Sequence, residues 1–240
     1  MLLNKDENKI GNIFYRDRVI RNDEDGIPDY TLYRFALEAL HCQPEEFTEK
    51  KAATLKELKI DTKMIEVNND WVPEYRLESL KGITFLSNLI YLNIGLNELR
   101  NISPVSYLHH LCELSVNGPI RSLEPIRKLQ SLRIVDFCGC DFEDISPLTE
   151  LTNLEELTIC SCGISDIYPI GKLKNLRKLG LTNNCIRDLR PIIALTKLQC
   201  IELDENSFAV SVETMDTLRE IVRNNPNLKF LSFSNWNMGE

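Results

Sequence analysis

Histidine is scarce in this 240-residue chain, and so are the side-chain groupings that catalysis draws on. His41, His109 and His110 are the only three, and no nucleophile or carboxylate recurs at a fixed spacing from any of them. No glycine-rich stretch could cradle a phosphate, and no His/Glu pair has metal-ligand spacing. The expectation is no enzyme and no cofactor. No apolar run approaches the roughly 18 residues a membrane-spanning helix needs. Basic charge is also short, with 28 Lys and Arg against 36 Asp and Glu, a net charge of −8. That balance speaks against nucleic acid or an anionic membrane as a general partner, because either favours a basic face. The opening Met1-Leu-Leu-Asn-Lys-Asp-Glu-Asn-Lys carries charges where an export signal has its apolar stretch, so a cytoplasmic protein is expected.

What the chain does have is a period. Five consecutive units begin at Leu86, Leu108, Leu129, Leu151 and Leu173, spaced 22, 21, 22 and 22 residues apart. In the first, Leu89, Leu92, Ile94, Asn97, Leu99, Ile102, Pro104 and Val105 occupy the offsets of Leu176, Leu179, Leu181, Asn184, Ile186, Leu189, Pro191 and Ile192 in the fifth. Residues two apart on a strand share a side, so Leu92 and Ile94 face a core while Tyr91, Asn93 and Gly95 face solvent. One unit has too little apolar surface to fold alone, and neighbours must stack around a shared core. A small donor recurs at position twelve, as Asn97, Cys140, Cys162, Asn184 and Asn206, where it can turn inward to satisfy backbone left bare by the bend. The Leu108 unit is one residue short and has Asn117-Gly118-Pro119 there, so its bend should differ.

The pattern is identified as a leucine-rich repeat. With Asp144-Ile-Ser-Pro-Leu, Asn101-Ile-Ser-Pro-Val and Asp166-Ile-Tyr-Pro-Ile, it resembles the bacterial internalin-like subclass. The segment ahead of the array resembles the internalin helical cap: Ile27-Pro28-Asp29, then Leu32, Phe35, Ala36 and Leu40, then Thr48-Glu49-Lys50 leading into Leu55-x-x-Leu58-x-Ile60. Leu80-Lys81-Gly82-Ile83 is similar to the opening half-turn of such arrays. The resemblance implies an α/β fold, a right-handed solenoid with a parallel sheet on its concave face. Five regions follow: an irregular segment over 1–26, the cap and first strand over 27–61, an insertion and half repeat over 62–85, the array over 86–206, and a closing cap over 207–240. In that last region Val212, Met215, Leu218, Ile221 and Val222 have helical spacing behind Ser211, and Asn224-Asn225-Pro226 should stop the helix. A final strand is expected with Leu228, Leu231 and Phe233 inward and Trp236 at the position-twelve slot.

Eight cysteines invite a disulfide or metal reading. Alternation sends Cys138 and Cys160 to the solvent side and Cys140 and Cys162 inward, which prevents easy tetrahedral convergence on a metal. Free thiols in a reducing compartment are favoured over a metal site or a redox pair. Asn22-Asp23-Glu24-Asp25-Gly26 superficially resembles a calcium loop, but Arg21 stands where a first ligand belongs, and a turn leading to Asp29 as helix cap is the better reading. Upstream, Ile13, Phe14, Tyr15, Val19 and Ile20 suit an irregular strand or hairpin.

Two places remain for function. From Ile60 to Ile94 the strand offsets are 34 residues apart, so about a dozen residues must bulge out around 62–76, carrying Trp71 and Tyr75. They are either binding anchors or, for Trp71, a seal on the end of the core. The other place is the outward face of the strands, with Tyr91, Asn93, Glu113, Ile134, Asp136, Glu156, Thr158, Lys178, Glu202 and Asp204. Its acidic groups outnumber basic ones five to one, and Tyr91 and Ile134 are apolar where solvent is expected. A protein-binding scaffold for a basic partner protein is expected, such as an inhibitor or immunity protein. The internalin resemblance implies an alternative, an exported adhesion or effector protein.

Overall fold

The computed structural model describes residues 18–61, 64–67, 70–95 and 98–233. Helix α1, Tyr30–Leu40, starts where Asp29 accepts a hydrogen bond from Leu32 N at 3.0 Å, the N-cap arrangement expected of an Asp. The second Asp29 oxygen accepts Glu78 N and Ser79 N, each at 3.0 Å, so one carboxylate both caps the helix and ties it to the half repeat. Thr48 caps a short helix α2, Glu49–Ala52, and strand β1 follows at Glu57–Ile60. The acidic stretch at 22–26 is a turn: Asp23 accepts Asp25 N and Gly26 N. Val19 makes an isolated antiparallel bridge to Thr48, and Ile20 is buried. Ile13, Phe14, Tyr15, Asn97 and Trp236 lie outside the described residues.

The insertion is a hairpin: β2, Met64–Val67, pairs antiparallel with β3, Asp70–Pro73. The array then supplies β4 (Tyr91–Ile94), β5 (Glu113–Asn117), β6 (Ile134–Cys138), β7 (Glu156–Cys160), β8 (Lys178–Gly180) and β9 (Cys200–Glu202). Helix α3, Val212–Asn224, and β10, Phe230–Ser232, close it. One eight-stranded parallel sheet runs β1-β4-β5-β6-β7-β8-β9-β10, with β1 preceding β4 because the hairpin stands outside the sheet. The chain therefore has the α/β leucine-rich-repeat solenoid fold, capped at both ends.

Opposite the sheet, each repeat descends through a 3-10 turn, and the proline phrases explain it. The side-chain oxygens of Asn101, Asp144, Asp166 and Asp188 accept the backbone N–H two residues on, at 2.7–2.9 Å. The proline then sits in the turn's first positions, where a missing N–H costs nothing. A second periodic set, which the sequence reading missed, holds successive coils together. Asn88, Ser131, Asn153 and Asn175 each donate to a carbonyl of the preceding coil, those of Ala53, His109, Gln130 and Thr152, at 2.9–3.0 Å.

The inward strand residues Leu58, Leu92, Leu114, Val135, Leu157, Leu179 and Ile201 are at most 1% exposed and belong to one continuous core. Position twelve works in two chemistries. Asn184 Nδ2 donates to Ile159 O, Leu181 O and Thr182 O at 2.7–3.2 Å, while Oδ1 accepts Cys162 N and Ile164 N at 3.2 Å. Asn206 repeats the pattern on Leu181 O, Leu203 O and Asp204 O, and accepts Ile186 N. In the thiol slots, Cys162 Sγ donates to Cys160 O at 3.1 Å and accepts Cys140 N at 3.4 Å, and Cys140 Sγ reaches Cys138 O at 3.6 Å. In the short unit, Ile120 N closes a tight turn on Gly118 O at 2.8 Å.

The closing cap departs from expectation at Phe233. Phe233 is 39% exposed, because β10 ends at Ser232 and the strand alternation does not reach it; Leu228 and Leu231 do pack on the core. The helix stops at Asn224 with Asn225 as its C-cap, as expected, and Asn225, 2% exposed, is also a bracket: it donates to Leu195 O and Ile221 O and accepts Leu198 N at 2.6 Å.

Candidate functional site on the concave face

Because the strands pair in register, the outward residues form straight rows across the sheet. The first is Glu57, Tyr91, Glu113, Ile134, Glu156, Lys178, Cys200 and Phe230. The second is Lys59, Asn93, Ser115, Asp136, Thr158, Gly180, Glu202 and Ser232, and a third brings Asn117, Cys138 and Cys160 side by side. The structure thus brings together the expected face residues except Asp204, which follows the end of β9, and extends them with Glu57 and Lys59 at one end and Phe230 and Ser232 at the other. The signal for β1 was already present in Leu55-x-x-Leu58-x-Ile60, whose alternation sends Glu57 and Lys59 outward.

Electrostatics single out the middle of the face. Burial, then the charges of Glu156, Asp136 and Glu57, push the Glu113 carboxyl above its ordinary range. Burial also pushes Asp136 up, partly offset by Lys178. Lys59 is tied to Asp61 at 3.0 Å on the exposed rim, which leaves Lys178 to answer the central carboxylates. Asp204 accepts a hydrogen bond from Ser232 Oγ. Gly180 leaves room that its row neighbours fill: a Cβ there would meet Thr158 at 3.2 Å and Glu202 at 3.6 Å.

The thiols on this face are poorly disposed for nucleophilic chemistry, which needs the thiolate. Burial, followed by the Cys138 thiol and the Asp136 charge, pushes Cys160 up to about 11, and burial also raises Cys138. Among the described residues no group of three or more His, Cys, Asp or Glu is placed to hold a metal ion. His109 and His110 lie in a turn entering a repeat, where their carbonyls accept Ser131 Oγ and Cys112 Sγ.

The insertion residues sit elsewhere. Trp71 is in β3 opposite Glu66. The Tyr75 ring stands edge-on to Phe35 at 6.4 Å, with the Arg34 guanidinium 4.0 Å above its centre, so it is anchored on α1. Tyr75 is thus part of the amino-terminal cap and not of the sheet face.

A family model described as leucine-rich repeats in two copies matches residues 152–194. No curated protein sequence matches the chain significantly. Among solved structures, internalin C2 from Listeria monocytogenes is similar in fold, with a TM-score of 0.69 and 24% identity over 88% of each chain. Another Listeria monocytogenes internalin, InlF, has a TM-score of 0.58 and 19% identity over 87% of this chain and 76% of its own. The functional domain of InlJ from the same organism, said to include a cysteine ladder, has a TM-score of 0.58 and 18% identity over 87% of this chain and 46% of its own. The fold is that of the internalin-like leucine-rich repeats.

Proposed function

We propose that this chain is a non-enzymatic scaffold that grips a basic protein surface on its acidic concave face, in the manner of an inhibitor or immunity protein. The observation that carries the reading is the crowding of like charge around Glu113, whose carboxyl is raised by burial and by three neighbouring acids. Like charges gathered around a partly buried carboxylate disfavour its ionised form unless a partner neutralises them. Ile134, apolar and only half-buried in the middle of that charge, supplies a hydrophobic anchor of the kind found at interface centres. The same negative field disfavours nucleic acid and anionic lipid. Eight free thiols, two of them in register on the face, suit a reducing, cytoplasmic setting.

The test uses wild-type protein and the triple variant Glu113→Lys, Asp136→Lys, Glu156→Lys as parallel baits, with circular dichroism confirming the fold of each. A basic protein retained by the wild type, released by added salt and absent from the variant supports the reading. Equal recovery on both baits sinks it. A second reading, an exported adhesion or effector protein, is favoured by the internalin fold neighbours. Finding the native protein outside the cell would establish that reading in place of the first.

A further inference from the structure

The first outward row alternates in character. Over five neighbouring strands it reads Glu57, Tyr91, Glu113, Ile134, Glu156, acid and apolar by turns, and Lys178 comes next. Strands in a sheet lie about 4.8 Å apart, so the carboxylates recur about every 9.6 Å with an apolar side chain midway. From Glu57 to Glu156 the row spans about 19 Å. Resting on the acidic-face reading above, we infer that the partner presents one amphipathic α-helix laid across the strands. Its facing side carries Arg or Lys every seven residues and an apolar residue three or four positions after each.

The repeat of each backbone type decides between them. A helix returns to one face after seven residues, about 10.5 Å, and residues three or four along lie on that same face between the two. Fourteen residues cover about 21 Å, within about 2 Å of the row. An extended strand shows a given face every second residue, about 6.7 Å, and falls out of step after one interval. A polyproline II segment repeats every third residue, about 9.3 Å, which matches the acids but puts nothing on that face midway to meet Tyr91 and Ile134.

Charge adds register and direction. Glu113 is the middle of the three carboxylates, so a base docked there has a further carboxylate two strands away on either side. Lys178 breaks the alternation at one end only. It faces the helix end just past the base opposite Glu156, and a cation favours the negative, carboxyl-terminal end of a helix dipole, so the helix runs with its final turn toward β8.

Three fluorescein-labelled peptides, titrated with the whole protein at low salt and followed by anisotropy, test this. The first is a lactam-constrained helix with three arginines seven residues apart and a leucine midway between each pair. The second has the same composition and constraint with the arginines and leucines distributed around the helix, and the third is the first with a central proline. The expected result is that the first binds at least about tenfold tighter than the others. It should also lose that advantage on Ile134→Asp protein whose circular dichroism is unchanged. If all three bind alike and all are lost on Glu113→Lys, Glu156→Lys protein, the helix is wrong while the acidic-face reading stands. If none binds, or binding ignores those two substitutions, both are overturned.

Discussion

Leu157 and Thr158 are adjacent in β7 and answer to different constraints. The inward residue is fully buried, in register with Val135 and Leu179, while the outward one lies half-buried between Asp136 and Gly180. Along every strand the inner side is specified several times over, by packing, by the position-twelve residues and by the bonds between coils. The outer side carries acids alternating with apolar side chains, among them an isoleucine facing solvent. On the function proposed above, a partner would answer both features. Stability is concentrated on one side of the sheet, and the proposed recognition lies on the other.

The largest expected effect lies on the inner side. Leu157→Ala removes a fully buried side chain from the middle of a continuous core and should cost about 2 to 5 kcal/mol, read as a shift of the urea midpoint. Thr158→Ala should stay within about 0.5 kcal/mol. Equal shifts for the two would erase the contrast between the faces.

Next comes the position-twelve slot, which sharpens the comparison within the inner side. Asn184→Ala strands the carbonyl of Ile159 and the N–H groups of Cys162 and Ile164, while Leu181 O keeps its bond from Asn206, and should cost about 1 to 3 kcal/mol. Asn184→Cys should be milder, because the thiols of Cys140 and Cys162 already make the weaker version of the same bonds. If both replacements lower the urea midpoint equally, a thiol is no substitute for the amide, and the two Cys coils must be held by packing alone. The edge-to-face pair of Phe137 and Phe142, 5.5 Å apart, is the packing that would then carry them.

Much of this architecture was legible because repetition converts sequence spacing into spatial position. The period assigned Leu92, Ile94 and their counterparts to the core and Asn184 and Asn206 to backbone duty, and in-register stacking made the outward rows follow from the same offsets. What could not be read depends on contacts the period does not generate. Asn225 was legible as the helix stop but not as a bracket, because its partners Leu195 and Leu198 lie 27 to 30 residues away. The hairpin over 64–73 has its own antiparallel register outside the repeat, and Tyr75 was bound to α1 by a cation above its ring, which no spacing announces. Phe233 followed the alternation on paper, yet the strand had already ended. On the face, residue identities were readable, but the crowding that raises Glu113 exists only once five strands are assembled.

The outer face has its own effects on solution behaviour, beginning with binding. Reversing Glu113, Asp136 and Glu156 to Lys should slow association and weaken the salt-sensitive complex, whereas Tyr91→Ala and Ile134→Ala should speed dissociation, both visible in surface-plasmon-resonance traces against the recovered partner. If all five leave affinity untouched while Trp71→Ala or Tyr75→Ala abolishes it, the insertion and not the sheet is the interface.

The smallest expected effect concerns stability and its pH dependence. A carboxylate whose folded pKa is raised binds protons more tightly in the folded state than in the unfolded one, so its contribution is fully favourable below the unfolded pKa and is lost as pH rises through the folded value. For Glu113 and Asp136 the window opens at the ordinary carboxylate range and extends above it. Mild acidification into that window should therefore raise the urea midpoint slightly, before other carboxylates that are held low, such as Asp144 and Asp188, begin to protonate and reverse the trend. Glu113→Gln removes the charge that its neighbours oppose. It should raise the midpoint at neutral pH, by no more than roughly a few tenths of a kcal/mol because the site is well solvated, and should flatten the acid-side rise. A lowered midpoint at neutral pH would mean that the Glu113 charge is welcome in the free protein. The outer face would then be a balanced solvated surface like any other, and its difference from the inner side would be one of packing alone.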